Sequence, residues 1–176
     1  TRELALQSAK ELKKFAKYLD SVKSVAVYGG ADIMTQRKAI KSGCQIIVGT
    51  PGRTLDFVKR GTLNLAEISI VVLDEADEML KMGFQEDLEA ILDTTPTEKQ
   101  VLLFSATMPK QIEKIAQKYM RSPEVIRVGE RNQGNADVEH FYYHVHSRDR
   151  YLALQYLVDY FPDMYGIIFC RTRRET

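Results

Sequence analysis

The run Ile68-Ser69-Ile70-Val71-Val72-Leu73 is followed at once by Asp74-Glu75-Ala76-Asp77. Six residues dominated by isoleucine, valine and leucine predict a strand buried on both faces, which is typical of parallel sheets with helices above and below. The carboxylates that follow would lie at the carboxyl end of that strand, where open α/β sheets bind their ligands. We therefore expect a central parallel strand that ends in a ligand site.

The acidic turn suits a metal ion and a polyphosphate. Mg²⁺ takes few protein carboxylates and fills its octahedron with water and phosphate oxygens, so Asp74 can hold it directly or through water. The adjacent Glu75 is then placed to orient and deprotonate an attacking water. The alternative is a solvated acidic turn that starts the next helix, since Asp and Glu favour helix N-termini.

Composition limits the class of protein. The 176 residues suffice for one ordinary domain, or for one domain and part of a second. No apolar stretch approaches the roughly 18 residues that span a bilayer and no signal peptide opens the sequence, so we expect a cytoplasmic protein. The net charge of +1 excludes a dedicated basic nucleic-acid-binding domain, so any such contact must be local. Cys44 and Cys170 have no metal-ligand spacing and are predicted to be reduced thiols.

Strands and helices alternate along the first three quarters of the chain. Helical periodicity separates apolar runs that predict strands at 24–28, 45–49, 68–73 and 100–104. Asp32 is expected to cap one helix and Thr50 another, with Pro51 at the first position of the latter. This alternation predicts an α/β fold in which a parallel sheet has helices on both faces.

Residues 129–137 are polar, lack periodicity and predict a linker. Beyond them, 138–145 and 166–170 are expected to be strands, and Arg148–Phe161 a helix. The inward side chains of that helix would be Tyr151, Leu154, Val158 and Phe161. Two strands and one helix cannot bury a core of domain size. We therefore expect most of a first domain at 1–128, the linker, and the N-terminal part of a second domain at 138–176.

Six motifs stand in one order, each beside a predicted strand end or helix start. They are Thr1-Arg2-Glu3-Leu4-Ala5, Gly29-Gly30, Thr50-Pro51-Gly52-Arg53, Asp74-Glu75-Ala76-Asp77, Ser105-Ala106-Thr107 and Ile167-Ile168-Phe169-Cys170-Arg171-Thr172. With these motifs the whole chain resembles the DEAD-box family of ATP-dependent RNA helicases, in particular its bacterial members. The resemblance implies two RecA-like domains joined by a flexible linker, with ATP and Mg²⁺ between them and single-stranded RNA across both.

The resemblance also implies a role for each motif. Asp74 would coordinate Mg²⁺ through water, and Glu75 would position and activate the hydrolytic water. Asp77 would bond to the Ser-Ala-Thr segment, whose Ser105 and Thr107 couple nucleotide state to the RNA site. Contacts with the RNA backbone, independent of sequence, would fall on Arg2, Gly29, Gly30, Thr50, Gly52, Arg53, Arg171 and Thr172.

Parts of the family pattern are not found in this sequence. The lysine-bearing phosphate loop and the adenine-reading glutamine motif are expected upstream of Thr1, and the arginine motifs of the second domain downstream of Thr176. Without the loop lysine the γ-phosphate has almost no ligand here. This chain alone is therefore predicted neither to bind ATP tightly nor to hydrolyse it, and RNA-stimulated turnover by the isolated chain would contradict that prediction.

Simpler interpretations of single residues stay open at this point. Gly29-Gly30 could form only a tight turn, and Arg53 could pair with an acid on its own helix. Ser105 and Thr107 could cap a helix beginning near Pro109.

Other functions and partners stay open as well. A non-hydrolysing RNA clamp, a DNA-directed helicase of the same superfamily and, remotely, a metal-dependent nuclease are alternatives to an RNA helicase. His140, His144 and His146 share one strand face, yet the first two would lie about 13 Å apart at roughly 3.3 Å per residue, too far to share zinc. His144 and His146 could reach one metal ion only with ligands from outside this strand. Ribosome-assembly or RNA-decay proteins are the candidate protein partners.

Overall fold

The computed structural model describes residues 1–128, 138–170 and 172. The chain divides into two compact units, Thr1–Val125 and Ile126–Thr176. The division falls close to the predicted end of the first domain at Val128, and the predicted linker lies outside the described residues. Within residues 1–128 and 138–170, every helix is too short or too polar to cross a membrane.

The first unit alternates helices with short strands, which confirms the predicted α/β class. A 3-10 turn at Ala16–Tyr18 extends the first helix. The elements are α1 (Arg2–Phe15), β1 (Ser24–Val27), α2 (Ile33–Lys41), β2 (Ile46–Gly49), α3 (Pro51–Lys59), β3 (Ile70–Leu73), α4 (Ala76–Lys81), α5 (Gln85–Asp93), β4 (Gln100–Leu103) and α6 (Lys110–Tyr119).

Local chemistry explains where three of these helices begin. The hydroxyl of Thr1 accepts the Leu4 N–H at the start of α1, and a carboxylate oxygen of Asp32 accepts the Thr35 N–H at the start of α2. Such side-chain caps satisfy backbone donors that have no partner inside the helix. Pro51, which lacks an N–H, occupies the first position of α3.

The strands form two parallel pairs. In one pair β1 lies beside β2, with Ser24 opposite Ile46 and Val27 opposite Gly49. In the other pair β3 lies beside β4, with the ends in register at Leu73 and Leu103. Because parallel strands end at the same edge, each pair brings the two segments that follow its strands close together. The single sheet expected from the sequence is thus two two-stranded sheets among the described residues.

Each strand pair has its own core, and α3 packs against α5 between them. Apolar side chains from the strands meet helix and loop residues, and burial of this area stabilises the fold. The buried members beside β1 are Val27, Ile40, Phe57, Leu63 and Leu65. Those beside β3 and β4 are Leu73, Leu88, Leu92, Val101 and Ile115.

The prediction that β3 is buried on both faces is wrong. Leu73 is 4% exposed, whereas Ile70 is 55% and Val72 is 53% exposed. Helices α5 and α6 supply Leu88, Leu92 and Ile115 to one face only. Among the described residues the opposite face of β3 and β4 has no comparable cover, so it keeps an apolar surface in water.

The second unit contains one α-helix among its described residues, α7 (Arg150–Tyr160), preceded by a 3-10 turn at Ser147–Asp149. The predicted helix is therefore present, but no residue of α7 is buried and Tyr151 is 78% exposed. The predicted strands at 138–145 and 166–170 are not strands in the structure. A strand requires a hydrogen-bonded neighbour, and the described part of this unit pairs neither segment with another.

Candidate active site and nucleic-acid interface

The acidic turn begins where β3 ends. Leu73 is buried, and the next two residues, Asp74 and Glu75, are exposed. Carboxylate oxygen Oδ1 of Asp74 accepts the Glu75 N–H at 3.0 Å. The Ala76 N–H donates to the Phe104 carbonyl at 3.1 Å, which fastens the start of α4 to the end of β4. Two carboxylates thus face solvent at the carboxyl edge of the β3–β4 pair.

Glu75 has a left-handed backbone, with φ of 53° and ψ of 44°. This conformation costs a residue with a Cβ roughly 1–2 kcal/mol, and it persists only where surrounding contacts hold it. Here the bonds of Asp74 and Ala76 on either side provide that hold. The chain turns sharply between strand and helix, and the Glu75 carboxylate is left at the edge instead of on the helix face.

Asp77 is 2% exposed and joins the acidic turn to the segment after β4. Its Oδ2 atom accepts two hydrogen bonds from Thr107, at 3.1 Å from the N–H and 2.6 Å from the hydroxyl. The Asp77 N–H donates to the Ser105 hydroxyl at 3.2 Å, and that hydroxyl donates to the Thr107 carbonyl at 2.7 Å. These three residues form a closed network between two neighbouring strand ends.

This network keeps Asp77 ionised. The Thr107 hydroxyl bond, which outweighs the opposing effect of burial, lowers the pKa of Asp77 to about 2. Its second oxygen, Oδ1, is buried without a hydrogen-bond partner in the described part of the chain. Ser105 and Thr107 do not cap α6, whose preceding Pro109 position has no side-chain cap, so the capping interpretation is wrong.

The predicted RNA-contacting residues after β1 lie beside the start of α1. The Arg2 guanidinium carbon lies 5.3 Å from the centre of the Tyr28 ring, a cation–π contact. Gly30 has φ of +77°, and a Cβ there would lie 3.5 Å from Nη1 of Arg2. Gly29 and Gly30 are exposed. The structure therefore brings Arg2, Gly29 and Gly30 together on one surface.

The segment after β2 reaches the same surface. The Thr50 N–H donates to the Val27 carbonyl at 2.9 Å, and Nη1 of Arg53 donates to the Ala31 carbonyl at 3.4 Å. Arg53 thus spans to the loop after β1, while Asp56, the acid on its own helix, pairs with Arg60. The prediction that the Thr50 side chain caps α3 is wrong, because it makes no capping bond.

Gly52 is exposed in the first turn of α3, between buried Pro51 and half-buried Arg53, and faces another helix. A Cβ at Gly52 would lie 3.5 Å from Oδ2 of Asp87 at the start of α5. In the second unit, Thr172 is exposed at a bend, and Arg171 lies outside the described residues. The described chain contains no group of three or more His, Cys, Asp or Glu side chains able to hold a metal ion together, and His140, His144 and His146 are exposed.

The structure also shows a contact for which the sequence analysis made no prediction. Tyr28 supplies the ring under Arg2. The sequence signal for it is an aromatic residue directly before Gly29, and the path of α1 brings the arginine to that ring.

Comparisons with known proteins identify the family of this chain. A family model described as DEAD/DEAH box helicase matches residues 1–115. The chain belongs to the DEAD/DEAH box helicase family.

Individual relatives extend that match over the whole chain. The ATP-dependent RNA helicase CshA of Listeria monocytogenes is 47% identical over 174 residues, which is 99% of this chain and 33% of that protein. The DEAD-box ATP-dependent RNA helicase CshA of Geobacillus kaustophilus is 45% identical, over 99% of this chain and 37% of that protein. The chain thus spans about a third of the length of these curated relatives.

A solved structure supports the fold. The crystal structure of a DEAD box protein from the hyperthermophile Methanococcus jannaschii matches with a TM-score of 0.68 and 45% identity, over all of this chain and 47% of that chain. The fold is therefore RecA-like, as the family resemblance implied.

Proposed function

We propose that the whole protein is an ATP-dependent RNA helicase that couples RNA-stimulated ATP hydrolysis to local unwinding of RNA duplexes or remodelling of ribonucleoprotein. One observation carries the proposal: the exposed carboxylates at the end of β3 are joined through Asp77 to Thr107 at the end of β4. The proposed nucleotide site and the Ser105–Thr107 segment after β4 thereby belong to one hydrogen-bonded network. ATP is the nucleotide on which the related CshA helicases depend, as their names state.

The exposed pair of carboxylates fits a magnesium–nucleotide site. Asp74 offers one accessible carboxylate, and Mg²⁺ needs few such ligands because water and phosphate oxygens complete its shell. When bound, Mg²⁺ neutralises charge on the phosphates. Glu75, held at the strand edge by its left-handed backbone, orients the attacking water and takes its proton. Asp77 is a positioning residue, since its buried carboxylate is occupied by Thr107.

Ser105 and Thr107 couple this site to the rest of the domain. Their only described links to the acidic turn run through Asp77, so a shift of the turn on nucleotide binding or release moves the segment after β4. A network with two discrete arrangements is the kind of element that carries such coupling.

RNA lies across the surface formed by Arg2, Gly29, Gly30 and the start of α3. Two guanidinium groups attract phosphates, while the exposed glycines and the first turn of α3 present backbone N–H groups. Contacts of this kind position the RNA backbone without reading bases. Thr50 adds a hydroxyl, and Gly52 adds an exposed backbone without a side chain. Arg171 and Thr172 extend the path on the second domain.

The domain organisation follows the same proposal. Residues 1–128 form most of the first RecA-like domain, 129–137 the linker and 138–176 the beginning of the second. The whole protein acts in the cytoplasm. Ribosome-assembly or RNA-decay proteins are its candidate partners.

The test uses the full-length protein. Replacement Glu75→Gln keeps the shape of the side chain but removes the base. General-base catalysis typically contributes about a hundredfold to ten-thousandfold to the rate, so ATP turnover should fall by at least about a hundredfold. ATP and RNA binding should persist. The matched control is Glu78→Gln, an exposed acid of α4 that pairs with Lys81, and it should retain turnover within about twofold.

Three results would redirect the proposal. Wild-type turnover by Glu75→Gln removes Glu75 from its role. A wild-type protein that binds RNA without hydrolysing ATP is a non-hydrolysing clamp. Stimulation of hydrolysis by single-stranded DNA as strong as that by RNA indicates a helicase without preference for RNA.

A further inference from the structure

Gln36 lies in the first half of α2 and is 7% exposed, which is unusual for a glutamine. Its Oε1 atom accepts the Tyr28 N–H at 3.0 Å, and its Nε2 atom donates to the Tyr28 carbonyl at 3.1 Å. Both ends of one buried side-chain amide are therefore bonded to the peptide groups of a single residue.

The position of Tyr28 explains why it needs this partner. On the side of β1 that faces β2, the Lys23 carbonyl accepts from Ile46 and the Val27 carbonyl accepts from Thr50. Peptide groups alternate in direction along a strand, so those of Tyr28 point to the opposite edge. No strand pairs with that edge in the described part of the chain. Gln36 supplies there the donor and the acceptor that a neighbouring strand would supply.

The same bonds close the loop that carries the two glycines. Asp32 fixes the far end of this loop through its 2.6 Å bond to the Thr35 N–H. Exposed Gly29 and Gly30 lie between that fixed end and Tyr28, whose ring also lies under the Arg2 guanidinium. A displacement of Tyr28 would therefore move both the glycine backbone and the contact of Arg2.

We propose that Gln36 is a positioning residue for the RNA surface: by bonding both peptide groups of Tyr28, it holds the Gly29–Gly30 backbone and Arg2 in the arrangement that binds phosphates. Gln36 itself is buried and does not touch RNA. The inference rests on the proposed function, because it concerns the geometry of that same RNA surface.

If Gln36 served only the stability of the fold, its replacement would not change RNA binding specifically. Gln45 provides a control residue for this comparison. Gln45 makes a comparable bond at the other end of β1, where its Oε1 accepts the Lys23 N–H at 2.8 Å. Loss of the Gln36 amide removes two bonds to the peptide groups of Tyr28, directly after β1, and loss of the Gln45 amide removes one bond to Lys23, directly before β1. Only the loss at Gln36 lies next to the RNA surface.

The experiment compares full-length wild-type protein with Gln36→Met and Gln45→Met, using single-stranded polyuridylate as the RNA probe. For Gln36→Met, we expect the RNA concentration that gives half-maximal ATPase stimulation to rise about tenfold, equivalent to about 1.4 kcal/mol of binding free energy. The kcat at saturating RNA and the KM for ATP should stay within about twofold. Hydrogen exchange at the Gly29 and Gly30 amides should become faster. For Gln45→Met, all four quantities should stay near wild type.

The possible outcomes separate the inference from the function on which it rests. Wild-type RNA dependence in Gln36→Met, or an equal loss in Gln45→Met, overturns the positioning role while leaving the helicase proposal intact. Absence of RNA stimulation in the wild-type protein overturns the proposed function and the inference together. If Gln36→Met does not fold, Gln36→Asn carries the test, because it keeps an uncharged side-chain amide that is one methylene too short to keep both bonds to Tyr28.

Discussion

The hydroxyl of Thr107 donates a 2.6 Å hydrogen bond to Oδ2 of Asp77, thirty residues earlier in the chain. This bond connects the ends of two neighbouring parallel strands at the edge where the acidic turn lies. It is buried on the Asp77 side, so its loss cannot be repaired fully by water.

Replacement Thr107→Val tests that bond by removing the hydroxyl at nearly constant shape. A hydrogen bond to a charged group contributes about 1.5–3 kcal/mol, so the free energy of unfolding should fall by about that amount. Thermal unfolding of the full-length protein gives the measurement. Thr97→Val, in the turn before β4, has no described bond to Asp77 and is the control. A change as small as in the control would show that the bond contributes little.

The low pKa of Asp77 predicts a dependence of stability on pH. Because the pKa in the folded protein is about 2, below the ordinary value of 3.8, folding favours the ionised form. The stabilisation should be fully present above about pH 4 and be lost as the pH falls toward 2. Urea unfolding of wild-type protein and Asp77→Asn between these limits measures it. The difference between the two proteins should shrink with acidity, and a constant difference would contradict the assignment.

The left-handed backbone of Glu75 predicts an unusual order of stability. Glycine adopts positive φ without the Cβ penalty, so Glu75→Gly should be more stable than Glu75→Ala by about 1 kcal/mol. At Glu78, inside α4, the order should reverse by about the same amount, because glycine is a poor helix former. Thermal unfolding of the four variants provides the comparison. If the alanine variant were the more stable one at both positions, Glu75 would not be held in the left-handed conformation.

Gly49 leaves room for α3 at the end of β2. A Cβ there would lie 2.0 Å from Oγ1 of Thr54 and 2.9 Å from a methyl carbon of Val27. Gly49→Ala should therefore destabilise the protein by about 1–3 kcal/mol, as overpacked substitutions do. Adding Thr54→Ala removes the closest atom and should recover a large part of that loss. Simple additivity of the two substitutions, measured by thermal unfolding in a double-mutant cycle, would contradict the steric explanation.

The sequence predicted the elements of the site better than it predicted their surroundings. The apolar runs before Asp74 and Ser105 predict parallel strands, and parallel strands must end at one edge, so the proximity of the two motifs follows from local patterns. The same run could not show that Ile70 and Val72 are exposed. An apolar run shows that a strand is able to bury its side chains. Whether each face is buried depends on helices that are distant in sequence.

The unpredicted contacts all depend on tertiary structure. Gln36 reaches back eight residues to Tyr28, and Arg53 reaches the loop after β1 instead of an acid on its own helix. The predicted strand at 138–145 is absent because alternating apolar residues alone do not provide a hydrogen-bonded neighbour. The inactivity of the isolated chain stays a prediction.

The bare face of the β3–β4 pair has a practical consequence for handling this chain. Ile70 and Val72 on β3 and Phe104 directly after β4 are each more than half exposed, and both strands have unpaired outer edges in the described part of the chain. Surfaces of this type promote intermolecular association and can serve as templates for added strands. Preparations of residues 1–176 should therefore self-associate as concentration rises, and charged replacements at Val72 should keep them monodisperse.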